Sequence, residues 1–129
     1  MEKKEKVEYW LDIAEYDLAT AKAMLQSDRY LYTVFMCQQA LEKVIKALYL
    51  HLFDAEPPRS HNLAFLFDKS GLTISPERLA LFNTLSAHYL NNRYPEYKQK
   101  LSTSLDKTQA EEQIKKTEEA YQWLKSQIT

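Results

Sequence analysis

Glycine is nearly missing from this chain, with one residue in 129, Gly71. Phosphate loops of the form G-x-x-x-x-G-K-[ST] and nucleophile elbows of the form G-x-S-x-G each need two or more glycines where the backbone turns sharply or approaches a ligand, so both chemistries are excluded. Cys37 is the sole cysteine. It rules out an internal disulfide and any C-x-x-C redox or zinc pair, and it fits a reducing cytosol. No apolar run approaches the roughly 20 residues that span a bilayer, and the opening Met1-Glu2-Lys3-Lys4-Glu5-Lys6 has no apolar segment behind it. A soluble, cytoplasmic protein without membrane association is expected. Net charge is also lacking: 17 basic against 18 acidic residues leave -1, which argues against a protein that works mainly by gripping long stretches of phosphate backbone.

What remains is helix-forming sequence. Hydrophobic residues make up 45% of the chain, and with so little turn chemistry the reading is all-α, a single domain over residues 1–129. Val7, Leu11, Ala14, Leu18, Ala21 and Leu25 recur at spacings of four and three, predicting a helix from about Lys4 to Gln26. After Ser27-Asp28, read as a cap, a second helix runs from Arg29 or Tyr30 to about Phe53. It carries Val34, Cys37, Leu41, Val44, Ile45, Leu48 and Leu52 on one side, and Pro57-Pro58 stops it. Ser60 is read as the N-cap of a short helix from His61 to about Lys69, ended by Ser70-Gly71. Ser75-Pro76-Glu77 starts a fourth helix to Leu90, with Leu79, Phe82, Leu85 and Tyr89 as its apolar face. An irregular stretch over 91–104 follows, and a last helix begins near Asp106 with Ala110, Ile114, Thr117, Tyr121, Leu124 and Ile128 as its seam. Four long helices and one short one imply an antiparallel up-and-down bundle.

The most informative stretch lies in the second helix, where Gln38, Gln39, Glu42, Lys43 and Lys46 interrupt an apolar sequence. At roughly 100° per residue they share an arc of about 140°, with Phe35 at one end and Tyr49 to Phe53 at the other. A polar island with apolar ends reads either as a solvated face, with Glu42 and Lys46 as an i, i+4 pair, or as a contact or ligand surface. Asp17 shares a face of the first helix with Trp10, Ile13, Ala21 and Met24. A carboxylate in such company calls for an ion pair, with Lys43 or Lys46 as the partner, fixing helix register. Arg93 and Tyr94, followed by Pro95, sit at a helix exit where they suit a phosphate or carboxylate as well as a plain helix stop. His61 reads as a capping or solvated imidazole or as a ligand group; His51 and His88 have no second ligand nearby in sequence, and no metal or cofactor is expected.

Taken together, Trp10, Ala14, Asp17-Leu18 and Ala21, the block Gln38-Gln39-Ala40-Leu41-Glu42-Lys43-Val44-Ile45-Lys46-Ala47, Ser60-His61-Asn62-Leu63, and Arg93-Tyr94-Pro95 resemble the HEPN domain, the higher-eukaryote and prokaryote nucleotide-binding domain, in its small stand-alone prokaryotic form. The resemblance covers nearly the whole chain. It implies a helical bundle, usually a homodimer, often encoded beside a minimal nucleotidyltransferase in a toxin-antitoxin-like pair. Several branches of the family are metal-independent ribonucleases that use an arginine followed after four to six residues by a histidine. This chain has no such spacing, so no catalytic residue is assigned and the chain reads as a non-catalytic protein. The positions that the resemblance marks for nucleotide, RNA or partner association are Gln38, Gln39, Glu42, Lys43, Lys46, His61, Arg93 and Tyr94, with Asp17 as a structural ion-pair residue. Two alternatives stand beside that reading: a ribonuclease whose site is assembled from His61 and Arg93, and a purely structural dimerisation or scaffold bundle.

Overall fold

The computed structural model describes residues 1–93 and 105–129, and the side chains of Asn92 and Arg93 lie outside the description. Five helices make up the described residues: α1 (Lys3–Gln26), α2 (Tyr30–Phe53), α3 (Leu63–Asp68), α4 (Pro76–Arg93) and α5 (Lys107–Ser126). The all-α helical bundle expected from the sequence is the observed architecture. None of these helices is long and apolar enough to cross a membrane.

Helix α2 packs against all four of the others, which explains why it is apolar on most of its circumference. Val34, Cys37, Ala40, Leu41, Val44, Ile45 and Leu48 are fully buried, and each larger aliphatic side chain among them contributes about 1.5–3 kcal/mol on leaving water. The α1 seam meets it through Ala14, Leu18 and Ala21, and α5 through Ile114, Ala120, Tyr121 and Leu124. Two side chains predicted for apolar faces, Leu52 on α2 and Leu79 on α4, are exposed instead. Leu52 sits in the last turn of its helix and Leu79 in the first turn of its own. Leu81 takes an inward position on α4 that the sequence reading did not assign.

Three boundaries differ from expectation for identifiable reasons. Ser27-Asp28 closes α1 rather than opening α2. Asp28 adopts the left-handed conformation (φ 61°), while the Arg29 amide donates to Met24 O at 2.8 Å and the Asp28 amide to Leu25 O at 3.1 Å. Those are the two bonds of a Schellman turn. Helix α4 runs three residues past Leu90, because asparagine is tolerated in a helix and Pro95 restricts position 94 rather than 91–93. Positions 91–93 of the irregular stretch expected over 91–104 are therefore helical, and the remainder, 94–104, lies outside the described residues. Finally, α3 starts at Leu63 with Asn62 as N-cap, not at His61 with Ser60. The Asn62 side chain accepts the Phe65 amide hydrogen at 3.0 Å, and Ser60 Oγ accepts that of Asn62 at 3.1 Å. The delay of two residues leaves the His61 carbonyl free of the helix, and the site depends on that freedom. At the far end, α5 is opened by a reciprocal capping box between Asp106 and Gln109 at 2.8 and 2.9 Å.

Candidate functional site

The polar island of α2 is an interior feature rather than a solvated face. Gln38 and Glu42 are buried among the core residues, and Asp17 joins them from α1. From these residues the structure builds one continuous chain of hydrogen bonds. Lys43 Nζ, on the α1 side, donates to Asp17 Oδ2 and to Gln39 Oε1, both at 3.1 Å. Gln39 Nε2 donates to Gln38 Oε1 at 2.7 Å. Gln38 Nε2 in turn reaches Glu42 Oε1 at 3.1 Å and the His61 carbonyl at 2.8 Å. Glu42 Oε2 accepts from Lys46 at 3.1 Å, and Glu42 Oε1 lies 2.8 Å from His61 Nδ1. Burying these groups without partners would cost several kcal/mol, and the chain of bonds removes most of that cost.

Electrostatically the cluster is balanced. Two carboxylates face two ammonium groups, with the Asp17 and Lys43 side chains 13% and 17% exposed. Of the two lysines offered by the sequence as partner for Asp17, the structure uses Lys43; Lys46 goes to Glu42 and lies over the Trp10 ring, 5.7 Å from its centroid. Burial alone pushes the Glu42 carboxyl up. The hydrogen bonds from His61 and Gln38 and the charge and hydrogen bond of Lys46 outweigh it, and the group ends below the ordinary glutamate range. It is therefore an ionised carboxylate at neutral pH.

The balance leaves His61 as the outward end of the chain. Its side chain is 54% exposed while that of Glu42 is 4% exposed. Both its ring and its backbone are held from α2, the ring by Glu42 and the carbonyl by Gln38. On its other side the imidazole packs on Tyr89 of α4 at a centroid distance of 4.8 Å, and Tyr89 stacks on Phe35 of α2 at 5.5 Å with planes 12° apart. Tyr89 and Phe35 were not candidate site residues in the sequence reading. The available signal was that Tyr89 precedes Arg93 by four residues and so shares its face of α4. Arg93 is the last residue of that helix; its side chain, and Tyr94 as a whole, lie outside the described residues.

Two grooves among the described residues lie away from this cluster. One of about 650 Å³ lies between the start of α4 and α5, lined by Ser75, Glu77, Arg78 and Lys116. Another of about 460 Å³ lies beside Val7, Leu11, His51 and Ile128. Their linings hold no continuous polar chain of the kind around Glu42, so the chemistry points to the His61 end of the island. Among the described residues no group of three or more His, Cys, Asp or Glu side chains is placed to hold a metal ion.

Known proteins resemble this chain in both sequence and fold. The family model of the HEPN domain matches residues 7–127. Two solved structures resemble the chain over nearly its full length. ST0689, an archaeal HEPN homologue, is 30% identical with a TM-score of 0.78, covering 96% of this chain and 98% of that one. TT1696 from Thermus thermophilus has a TM-score of 0.82 at 21% identity, covering 95% and 98% respectively, a likeness of fold alone. None of the curated proteins compared with the chain matches it.

Proposed function

The chain belongs to the HEPN domain family, and on that premise we propose that it is a single-domain, homodimeric binding module that does no chemistry of its own, associating with a nucleotide or with a minimal nucleotidyltransferase as half of a toxin-antitoxin-like pair. One observation carries the binding role: His61 is clamped at ring and backbone by buried groups of α2 while more than half of its side chain faces solvent. Holding an exposed side chain in one orientation costs side-chain entropy, and that cost supports a role for His61. Non-catalysis is supported by the sequence, which lacks the arginine and histidine at ribonuclease spacing. The lysines of the island are already neutralised by Asp17 and Glu42, so a phosphate would draw on Arg93 rather than on Lys43 or Lys46.

Calorimetric titration with ATP and GTP tests the proposal. Binding heat is expected for the intact protein and should be lost in His61→Ala and in Arg93→Ala. No heat with either nucleotide removes the nucleotide version and leaves the partner protein.

A ribonuclease remains the second reading because a buried, ionised carboxylate on Nδ1 is what orients a general-base histidine. It requires His61 and Arg93 to act on one phosphate; in its favour, Arg93 lies one helical turn beyond the Tyr89 that packs on His61. Cleavage of single-stranded RNA that survives His61→Ala would eliminate it.

A further inference from the structure

We infer that the hydrogen-bond chain inside α2 fixes a hydrogen on Nδ1 of His61, so that the ring in its neutral form carries its lone pair on Nε2 and takes a hydroxyl or amino hydrogen from a ligand. The inference rests on the reading that His61 faces the ligand, and it specifies the chemistry offered there.

The polarity of the chain is set by groups that cannot reverse. An ammonium only donates, so Lys43 requires the carbonyl oxygen of Gln39 at its end. The Gln39 amide nitrogen then faces Gln38, whose own oxygen must accept it. That turns the Gln38 amide nitrogen toward Glu42 and the His61 carbonyl, two groups that only accept. Reading from the far end gives the same direction: Lys46 fixes Glu42 Oε2 as an acceptor, and Glu42 is ionised, so the 2.8 Å contact to His61 Nδ1 needs a hydrogen on the ring nitrogen. Every donor in the series meets an acceptor in one arrangement only. The hydrogen bond at one imidazole nitrogen decides the state of the other. Among the described residues Nε2 has no hydrogen-bond partner, and the ring is largely exposed. Free histidine prefers its proton on Nε2, so the site reverses the intrinsic preference. Glu42 and Gln38 are positioning residues in this scheme, acting through His61.

The consequence for recognition is a choice between chemical groups. A lone pair on Nε2 accepts from a ribose hydroxyl or an exocyclic base amine, whereas a phosphate oxygen, itself an acceptor, finds no donor on the neutral ring.

The test is the imidazole nitrogen spectrum of the ¹⁵N-labelled, ligand-free protein, read through two-bond proton–nitrogen correlations at a pH where His61 is neutral. A protonated-type shift at Nδ1 with a lone-pair-type shift at Nε2 is expected. The reverse pattern, or the averaged pattern of two exchanging forms, overturns the inference. Glu42→Leu then removes the acceptor: no group of α2 is left to hold the hydrogen on Nδ1, and the ring should turn to the Nε2-protonated or the averaged pattern. Retention of the proton on Nδ1 in a folded Glu42→Leu protein also counts against the inference, and if this variant does not fold the wild-type spectrum still decides. ATP binding, followed at the same resonances, should weaken about tenfold or more in Glu42→Leu. If wild-type Nδ1 carries the proton but ATP does not bind, the nucleotide reading fails while the inference about His61 stands, since the proton is located without ligand.

Discussion

Replacing Lys43 by methionine removes one charge while keeping most of the side-chain volume, and its effect can be worked through from the contacts. Asp17, with its side chain 13% exposed, keeps its charge and loses its ammonium partner. Removing one member of a buried pair costs about 3–5 kcal/mol, and the residual exposure of both groups puts this pair near the lower end. Gln39 Oε1 also loses its donor, adding up to about 1 kcal/mol because the residue is only half-buried and water can replace the bond in part. The expected loss is about 3 kcal/mol, a large share of the roughly 5–15 kcal/mol typical of a domain. In urea unfolding followed by helical circular dichroism it should appear as a midpoint lowered by about 1.5–2 M at an unchanged slope. The double variant Asp17→Leu/Lys43→Met carries neither charge into the interior and should lose only about 1 kcal/mol, well short of the sum of the two single losses. A buried, coupled pair is refuted if Lys43→Met lies within about 0.5 kcal/mol of wild type, or if the double variant loses the sum of the two single losses.

Further expectations concern the same fold. Glu42 is held below its unfolded pKa, so its contribution to stability is complete above the ordinary glutamate range and disappears as pH falls through the folded value; the melting temperature should fall more steeply below about pH 4.5 in wild type than in Glu42→Leu. The Cys37 thiol, fully buried and pushed up to about 12 by that burial, should resist a disulfide reagent such as DTNB in the native protein and titrate as one thiol in denaturant; rapid native labelling would show that α2 is not enclosed as described. Gly71 sits at φ 75° with open space where a Cβ would stand, so Gly71→Ala should cost only the backbone strain, about 1 kcal/mol by chemical denaturation. A loss above about 3 kcal/mol would mean a packing role that the structure does not show.

The sequence disclosed different parts of this molecule to different depths. The helices were legible because each has a long seam, and Val7 to Leu25 or Ala110 to Leu124 need only local periodicity to be read. The polar island was legible as an angular cluster for the same reason. Its burial was not, because exposure depends on which neighbour covers a face, and Asp17, Trp10 and the loop at His61 come from other parts of the chain. The bond between Glu42 and His61 joins positions 19 apart across an irregular connection, and it exists because Asn62 rather than Ser60 caps α3. Both residues are good caps, so local preference could not choose between them. The column formed by Phe35, Tyr89 and His61 was hidden by a different ambiguity: an aromatic on a helix face reads as core, and Tyr89 is core as well as a wall of the site.

The pairing of Asp17 with Lys43 has a consequence for how α1 finds its place along α2. The α1 seam alternates leucine with alanine and repeats only every two turns, so the alternation by itself leaves open a slip of seven residues, about 10.5 Å. The polar pair does not repeat. Seven residues either side of Asp17 stand Trp10 and Met24, and neither carries a carboxylate, so a slipped helix would leave Lys43 without its ion-pair partner. Asp17 thus works as the single non-repeating mark on an otherwise periodic ruler, selecting one alignment of the two longest helices and, with it, the position at which α2 presents Gln38 and Glu42 to His61.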